Sequence, residues 1–443
     1  MLLSVVKKYK IELVVFSTTL FIRFFYAAVI QWLFGSHVFI SFSDSAMYLR
    51  EATNILYHHT LSQVDTAPFL PDPLRTILYP LFLSLFVWLK LPLFVMVLAQ
   101  DFLAGFIALI IYKLGVRIFK SQSVGVIAGI LFSLEPMSIY WNSLLMFETL
   151  ASFLFIYSIY LFICKRYYFS ALIMGLATLT RPSNLYFFPL LLLMYIYEHK
   201  EYLFNKIPGA MSKFFWKKLL LMFFVFFITI FPWALRNKIQ FNTWDISSNG
   251  WFALYYFNAS EFAIIKNVPY KKVPYDFPPV DPSYHPGEIR NAIYYYEFFN
   301  TPFYKKYILD LIAKYPIDYL KFHITSAVEG FQNHDYRYIM DYVLLAKVPS
   351  FNKSIGNFLV NLGQYLWLFI YSLVIVGFLV KGPKKWQVFL VSFYLTNNLL
   401  TGYISTVSAG GRYNLPFLPI TLLLASYGLV SLWDYRKYLT KRL

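Results

Sequence analysis

From Ile11 to Phe34 the chain runs for twenty-four residues with only Glu12 and Arg23 charged, and comparable apolar stretches recur almost to its end. A helix rising 1.5 Å per residue needs about that length to cross a hydrocarbon core of roughly 30 Å. Lipid offers no hydrogen-bond partner, so each crossing has to close its own backbone bonds. Composition agrees with this reading. Hydrophobic residues are 59% of the 443 and charged ones 14%, against roughly 25% charged in a soluble domain. Mean hydropathy is +0.55. The expectation is an all-α polytopic membrane protein. Its single cysteine, Cys164, excludes an intramolecular disulfide and a cysteine-based zinc or iron–sulfur site.

Apolar runs mark about ten spans, at 11–34, 93–112, 122–140, 145–163, 169–181, 183–197, 217–235, 357–380, 386–403 and 413–433. Two of them, 169–181 and 183–197, are short and flank Arg181–Pro182, while Tyr79–Leu89 is shorter still and reads as a surface helix. A net charge of +17 would suggest nucleic acid in a soluble protein, but in a membrane protein Lys and Arg collect on the cytoplasmic side. The pieces placed inside are the start of the chain, 113–121, 164–168, 198–216 with Lys217 and Lys218, 381–385 and 434–443. They hold 20 of the 39 Lys and Arg but, with Glu12, only 4 of the 22 Asp and Glu. The reading is a multi-pass protein of the cytoplasmic (inner) membrane, both termini inside, with the bilayer and no nucleic acid as partner. Three parts follow: 1–235, an N-terminal transmembrane module with a first outer loop at 35–92; 236–356, a large outer loop; and 357–443, C-terminal transmembrane helices. In the large loop, Glu288–Phe299, Pro302–Lys314 and Ile317–Phe331 have amphipathic spacing suited to surface helices, and the six prolines from Asn267 to Pro286 suggest a crossover or movable lid.

The outer loops hold the unusual residues. Ser41-Phe-Ser-Asp44-Ser-Ala-Met-Tyr48-Leu-Arg50-Glu51 follows the first span, and Asp44, Tyr48 and Glu51 share one helix face. The ordinary alternative is a cap, since Ser41 and Asp44 fit the S-x-x-D pattern of a helix start. Arg75, in Asp72-Pro-Leu-Arg75-Thr-Ile-Leu-Tyr79-Pro80, could equally reach for lipid headgroups. Glu135 and Glu148 bracket an outer turn, and Asp101 lies inside the second span, where pairing with Arg23 would account for it. Thr180-Arg181-Pro182, Pro232-Trp233-Ala-Leu-Arg236-Asn237 with Ser247-Ser-Asn249-Gly250, and Gly410-Gly411-Arg412-Tyr413 complete the set. In the ten-span topology all of them reach one face. Arginine holds phosphate bidentately and a carboxylate can take a proton from a hydroxyl, so the set suits a phosphate-bearing lipid donor meeting a hydroxyl acceptor.

Taken in order, these motifs resemble the polytopic GT-C glycosyltransferases, the superfamily of bacterial aminoarabinose transferases and protein O-mannosyltransferases. The likeness runs from the Asp44 motif and Arg75…Tyr79-Pro80 through Lys113-Leu-Gly-Val-Arg117-Ile-Phe and Pro136…Glu148-Thr-Leu. It continues in Leu179-Thr-Arg181-Pro182-Ser, Pro232-Trp233…Arg236-Asn237 and Arg412-Tyr413-Asn-Leu-Pro416…Pro419. The resemblance implies a GT-C-like fold and inverting transfer of a sugar from a polyprenyl-phosphate donor to a lipid, glycan or protein acceptor at the outer face. Asp44 matches the family's acidic residue and would be the catalytic base. Arg412 and Arg181, with Arg75 and Arg236 behind them, would hold the donor phosphate. Tyr48, Glu51, Glu148, Asn237, Asn249 and Tyr413 would position substrate. Many members carry two adjacent acids where this chain has Asp44-Ser45, so no metal ligand is assigned and a divalent metal stays open as cofactor. Rival readings are a surface-polysaccharide ligase or polymerase, a lipid flippase or transporter, for which an internal repeat is wanting, and a scaffold subunit that keeps the fold without the chemistry.

Overall fold

Each apolar run becomes a helix, and local residues set where it stops. The computed structural model describes residues 9–64, 66–67, 69–204, 209–268, 286–332, 353–401 and 410–440. Helix α1 (Lys10–Phe34) ends at Gly35, whose φ of 77° suits a residue without a side chain, and a turn at Ser36–Ile40 leads into α2 (Ser43–His58). After α3 (Leu78–Trp88) and α4 (Leu93–Phe119), α5 (Gln122–Leu134) gives way at an angle of 55° to α6 (Pro136–Ser143). Pro136 forces Glu135 into an extended conformation, and the Glu135 carboxylate then accepts the Ser138 amide at 2.6 Å as the cap of α6. Next come α7 (Glu148–Ile163) and α8 (Tyr167–Thr180). Arg181, extended ahead of Pro182, stops α8, and a turn at Pro182–Phe187 opens α9 (Phe188–Glu198). The short α10 (Glu201–Phe204), then α11 (Gly209–Phe241), α12 (Asn249–Ala253) and α13 (Ser260–Ile265) precede α14 (Pro286–Lys314) and α15 (Pro316–Gln332). The last elements are α16 (Lys353–Leu379), α17 (Lys384–Thr401), a turn at Gly410–Phe417 and α18 (Leu418–Thr440).

The chain is an all-helical multi-pass membrane protein. Among the described residues five helices are long and apolar enough to cross a bilayer: Lys10–Phe34, Leu93–Phe119, Lys213–Phe241, Asn361–Leu379 and Arg412–Tyr435. The bent pair α5–α6 makes a sixth if counted as one span. This corrects the expected ten. With 16 and 14 residues, α7 and α8 reach only about 24 and 21 Å at 1.5 Å per residue, and α9 is shorter. In α17, buried Gln387, Asn397 and Asn398 dilute the apolar run.

Burial sorts the helices into a centre and a rim. α7 buries side chains around its circumference, and its Phe155 ring packs against Phe187, Phe393 and Phe417. α1 offers the core only the stripe Val15, Thr19, Arg23, Ala27 and Ile30, leaving Phe21, Phe25 and Trp32 exposed for lipid. α4 and α5 touch backbone to backbone: a Cβ placed on Gly115 would lie 2.5 Å from the Gly125 Cα. Away from this core, Tyr255, Phe262, Tyr304, Tyr307 and Tyr319 form a separate aromatic cluster binding α13 to α14 and α15. The sequence breaks this region at Pro302, yet α14 continues through that proline. The expected lid falls mostly at 269–285, outside the described residues.

Candidate functional site

The loop before α3 is built to turn one arginine inward. Asp72 Oδ1 accepts the Leu74 amide at 2.6 Å, closing a tight Asx turn. From the loop after α11, Ser247 Oγ donates to the Leu74 carbonyl (2.5 Å) and the Ser248 amide to the Pro73 carbonyl (3.0 Å). Arg236 Nη1 donates to the Asp72 carbonyl at 2.9 Å. Held this way, Arg75 is 8% exposed and faces α2. Its Nη2 meets Asp44 Oδ1 at 3.0 Å, and its Nη1 meets Asp72 Oδ2 at 3.4 Å and Glu51 Oε1 at 3.8 Å. Its guanidinium also lies 5.1 Å from the Tyr48 ring.

A second arginine arrives from the far end of the sequence. Arg412, in the turn before α18, donates from both terminal nitrogens to Asp44 Oδ2 at 3.1 Å, and its Nε lies in ion-pair contact with Glu148 Oε1 at 2.8 Å. Rings of Phe42, Trp141, Phe147 and Tyr413 surround it at 5.3 to 5.9 Å. Arg181 supports the same turn, donating twice to the Tyr413 carbonyl at 3.1 Å. One carboxylate, Asp44, therefore bridges two guanidiniums, and each guanidinium is backed by a further buried acid.

The electrostatics follow from that arrangement. Burial alone would raise the Asp44 carboxyl, but Arg412 and Arg75 outweigh it and hold Asp44 below the usual carboxylate range. Burial and the neighbouring charge of Asp72 push Glu51 well above that range. Asp72 is also buried, yet it is held below that range by Arg75 and by the hydrogen bonds it accepts from Gln63 and the Leu74 amide.

Asp44, Tyr48, Glu51, Arg75, Glu148, Arg181, Arg412 and Tyr413 do come together, with Arg236 at the margin. Asn249 does not join them, and Asn237 meets the marginal Arg236, whose Nη1 donates to its Oδ1 at 2.8 Å. Asn237 Nδ2 holds the carbonyls of Asp245 (2.8 Å) and Ile246 (3.1 Å), while Asn249 is exposed at the start of α12. Glu51 is fully buried, 3.8 Å from Nη1 of Arg75. Sequence reading gave no role to Asp72 or to the Trp141 and Phe147 rings, although the three-residue spacing from Asp72 to Arg75 was a usable sign of a local pair. The expected ion pair between Arg23 and Asp101 is absent among the described residues. Arg23 donates to Ser138 Oγ (2.7 Å), and Asp101 accepts from Asn142 (2.5 Å). Among the described residues no group of three or more His, Cys, Asp or Glu is placed to hold a metal ion.

Residues 13–265, which include every cluster member up to Arg236, match the family described as GPI transamidase subunit PIG-U. The chain belongs to that family. No curated protein matches it. Among solved structures it resembles the archaeal oligosaccharyltransferase AglB from Archaeoglobus fulgidus, in complex with an inhibitory peptide and a dolichol-phosphate. The TM-score is 0.53 and the identity 13%, over 99% of this chain and 52% of that one. The chain spans about half the length of that protein, and at such identity the likeness is one of fold alone.

Family membership overturns the GT-C glycosyltransferase assignment, and with it the sugar transfer from a polyprenyl-phosphate donor, because PIG-U is a transamidase subunit. The ligase, polymerase and flippase readings fall by the same finding. The geometry around Asp44 agrees with the correction. A carboxylate that accepts three guanidinium hydrogen bonds and titrates below the usual range is a poor base toward a hydroxyl. Nor is Asp44 a cap: Phe42 occupies the N-cap of α2, with no side-chain hydrogen bond.

Proposed function

We propose that this chain works as a membrane-embedded subunit of a GPI transamidase, in the endoplasmic reticulum membrane where anchors are attached to proteins. That location replaces the cytoplasmic membrane inferred from charge. Its partners are then the other transamidase subunits and the proteins that receive the anchor, in place of a sugar donor and acceptor. The observation that carries this reading is the family match across 13–265. The side chains support a binding role within it. A glycosylphosphatidylinositol anchor brings a phosphate to the membrane surface, and Arg75 and Arg412 set two planar forks side by side in a largely buried site. Arg181 and Arg236 hold the two loops that carry those forks. The site would keep the anchor in place while another subunit carries out the transfer.

Cells lacking the chain test this reading. GPI-anchored proteins should disappear from the surface and unanchored precursors accumulate, both reversed by the full chain. Normal anchoring together with a glycolipid or glycan short of one sugar would overturn it.

A further inference from the structure

Each of the two arginines is shared between Asp44 and a deeper acid: Arg412 gives Asp44 both terminal nitrogens, Arg75 only Nη2. Arg75 turns one edge to Asp72 and Arg412 turns one to Glu148, and these inner acids are 1% and 3% exposed. Toward the other side both guanidiniums converge on Asp44, which at 25% is the most exposed charged group of the cluster. The inner acids aim the forks, and Asp44 fills them.

We infer that Asp44 is an internal stand-in for a phosphate group, so that a lipid phosphate and the Asp44 carboxylate compete for Arg75 and Arg412. This rests on the phosphate-binding reading above and adds to it how the site is occupied and released. A phosphate presents several oxygens at fixed angles and can accept from both forks, as the two Asp44 oxygens do. The exchange needs no change in the inner shell, because Asp72 and Glu148 keep their own contacts with the arginines. It needs only a rotation of Asp44, which sits in the first turn of α2 and is 25% exposed. Displaced, its carboxylate is solvated, while the buried guanidiniums stay neutralised by the incoming anion.

The consequence has an unusual sign. Removing the acid strengthens binding. In Asp44→Asn the competing charge is gone while side-chain size is kept, and phosphate should bind about tenfold tighter or more, the scale of one charge-assisted hydrogen bond. The test uses the purified full chain in detergent, with phosphatidylinositol in mixed micelles and inorganic phosphate as separate probes. Thermal unfolding confirms that the variant is folded, and Asp44→Ser serves as a second variant. Tighter binding of phosphatidylinositol alone supports the inference with a lipid headgroup as ligand, and a parallel gain for inorganic phosphate supports it with phosphate itself sufficient. Equal or weaker binding by both variants, with the wild type binding, overturns the competition and leaves the phosphate site standing. If neither wild type nor variants bind either probe, the phosphate reading falls as well.

Discussion

Glu51 and Asp72 sit beside the same arginine yet are shifted in opposite directions. Burial and the charge of Asp72 raise Glu51, while Arg75 and the hydrogen bonds from Gln63 and the Leu74 amide hold Asp72 low. The sign for stability is definite. A carboxyl whose folded pKa lies above its unfolded value contributes fully below the unfolded value, and the contribution is lost as pH rises through the folded one. Glutamine reproduces the neutral form of the side chain. Glu51→Gln should therefore match the wild type near the ordinary carboxylate pKa and become progressively more stable than it toward alkaline pH. Thermal unfolding in detergent across that range checks it, and a variant less stable at every pH would show that Glu51 is ionised. At this scale the sequence was partly legible. The i, i+4, i+7 spacing put Asp44, Tyr48 and Glu51 on one face, and they do face Arg75. Spacing could not tell which acid reaches the surface and which lies behind the arginine, because that depends on the Asp72 turn.

Helices show a different limit. Apolar runs locate them well, since hydrophobic length is a direct consequence of what lipid excludes. Whether each crosses the bilayer alone does not follow from apolarity: α7 and α8 are buried among other helices yet short, and α8 is stopped by Arg181–Pro182. Pro302 misled the reading of α14, as a proline's local cost can be outweighed by packing such as that of Tyr304, Tyr307 and Leu311 in the aromatic cluster. Close approach is the element-scale feature most open to test. A Cβ on Gly125 would sit 2.5 Å from the Tyr112 carbonyl oxygen, in the seam between α4 and α5, while nothing lies within 4 Å of one on Gly250. Gly125→Val should cost about 1–3 kcal/mol or more by overpacking. Gly250→Ala should stay within about 0.5 kcal/mol. Unfolding of both in detergent decides it, and a neutral Gly125→Val would mean the two helices are free to separate.

Across the whole molecule, the site exists only once the bundle has closed. Asp44 and Arg412 are 368 residues apart, and their contact joins the first loop to the turn before the last helix. The sequence anticipated that convergence, because acids and arginines sorted to one face in the charge-based topology. It misassigned the chemistry for a physical reason: short motifs in a fixed order report how helices and loops are arranged, and one arrangement can serve different activities. Catalysis would need a carboxylate free to take a proton, whereas Asp44 is held by both guanidiniums, and the proposal of anion binding rests on those two arginines. Lysine at 412 keeps the positive charge and can still meet Glu148 and Asp44, but it has no planar fork. The most direct measurement is therefore phosphatidylinositol binding by the full-length Arg412→Lys chain beside the wild type, with folding checked by thermal unfolding. Affinity should fall about tenfold or more in a folded variant. Wild-type affinity would contradict a phosphate site built on Arg412.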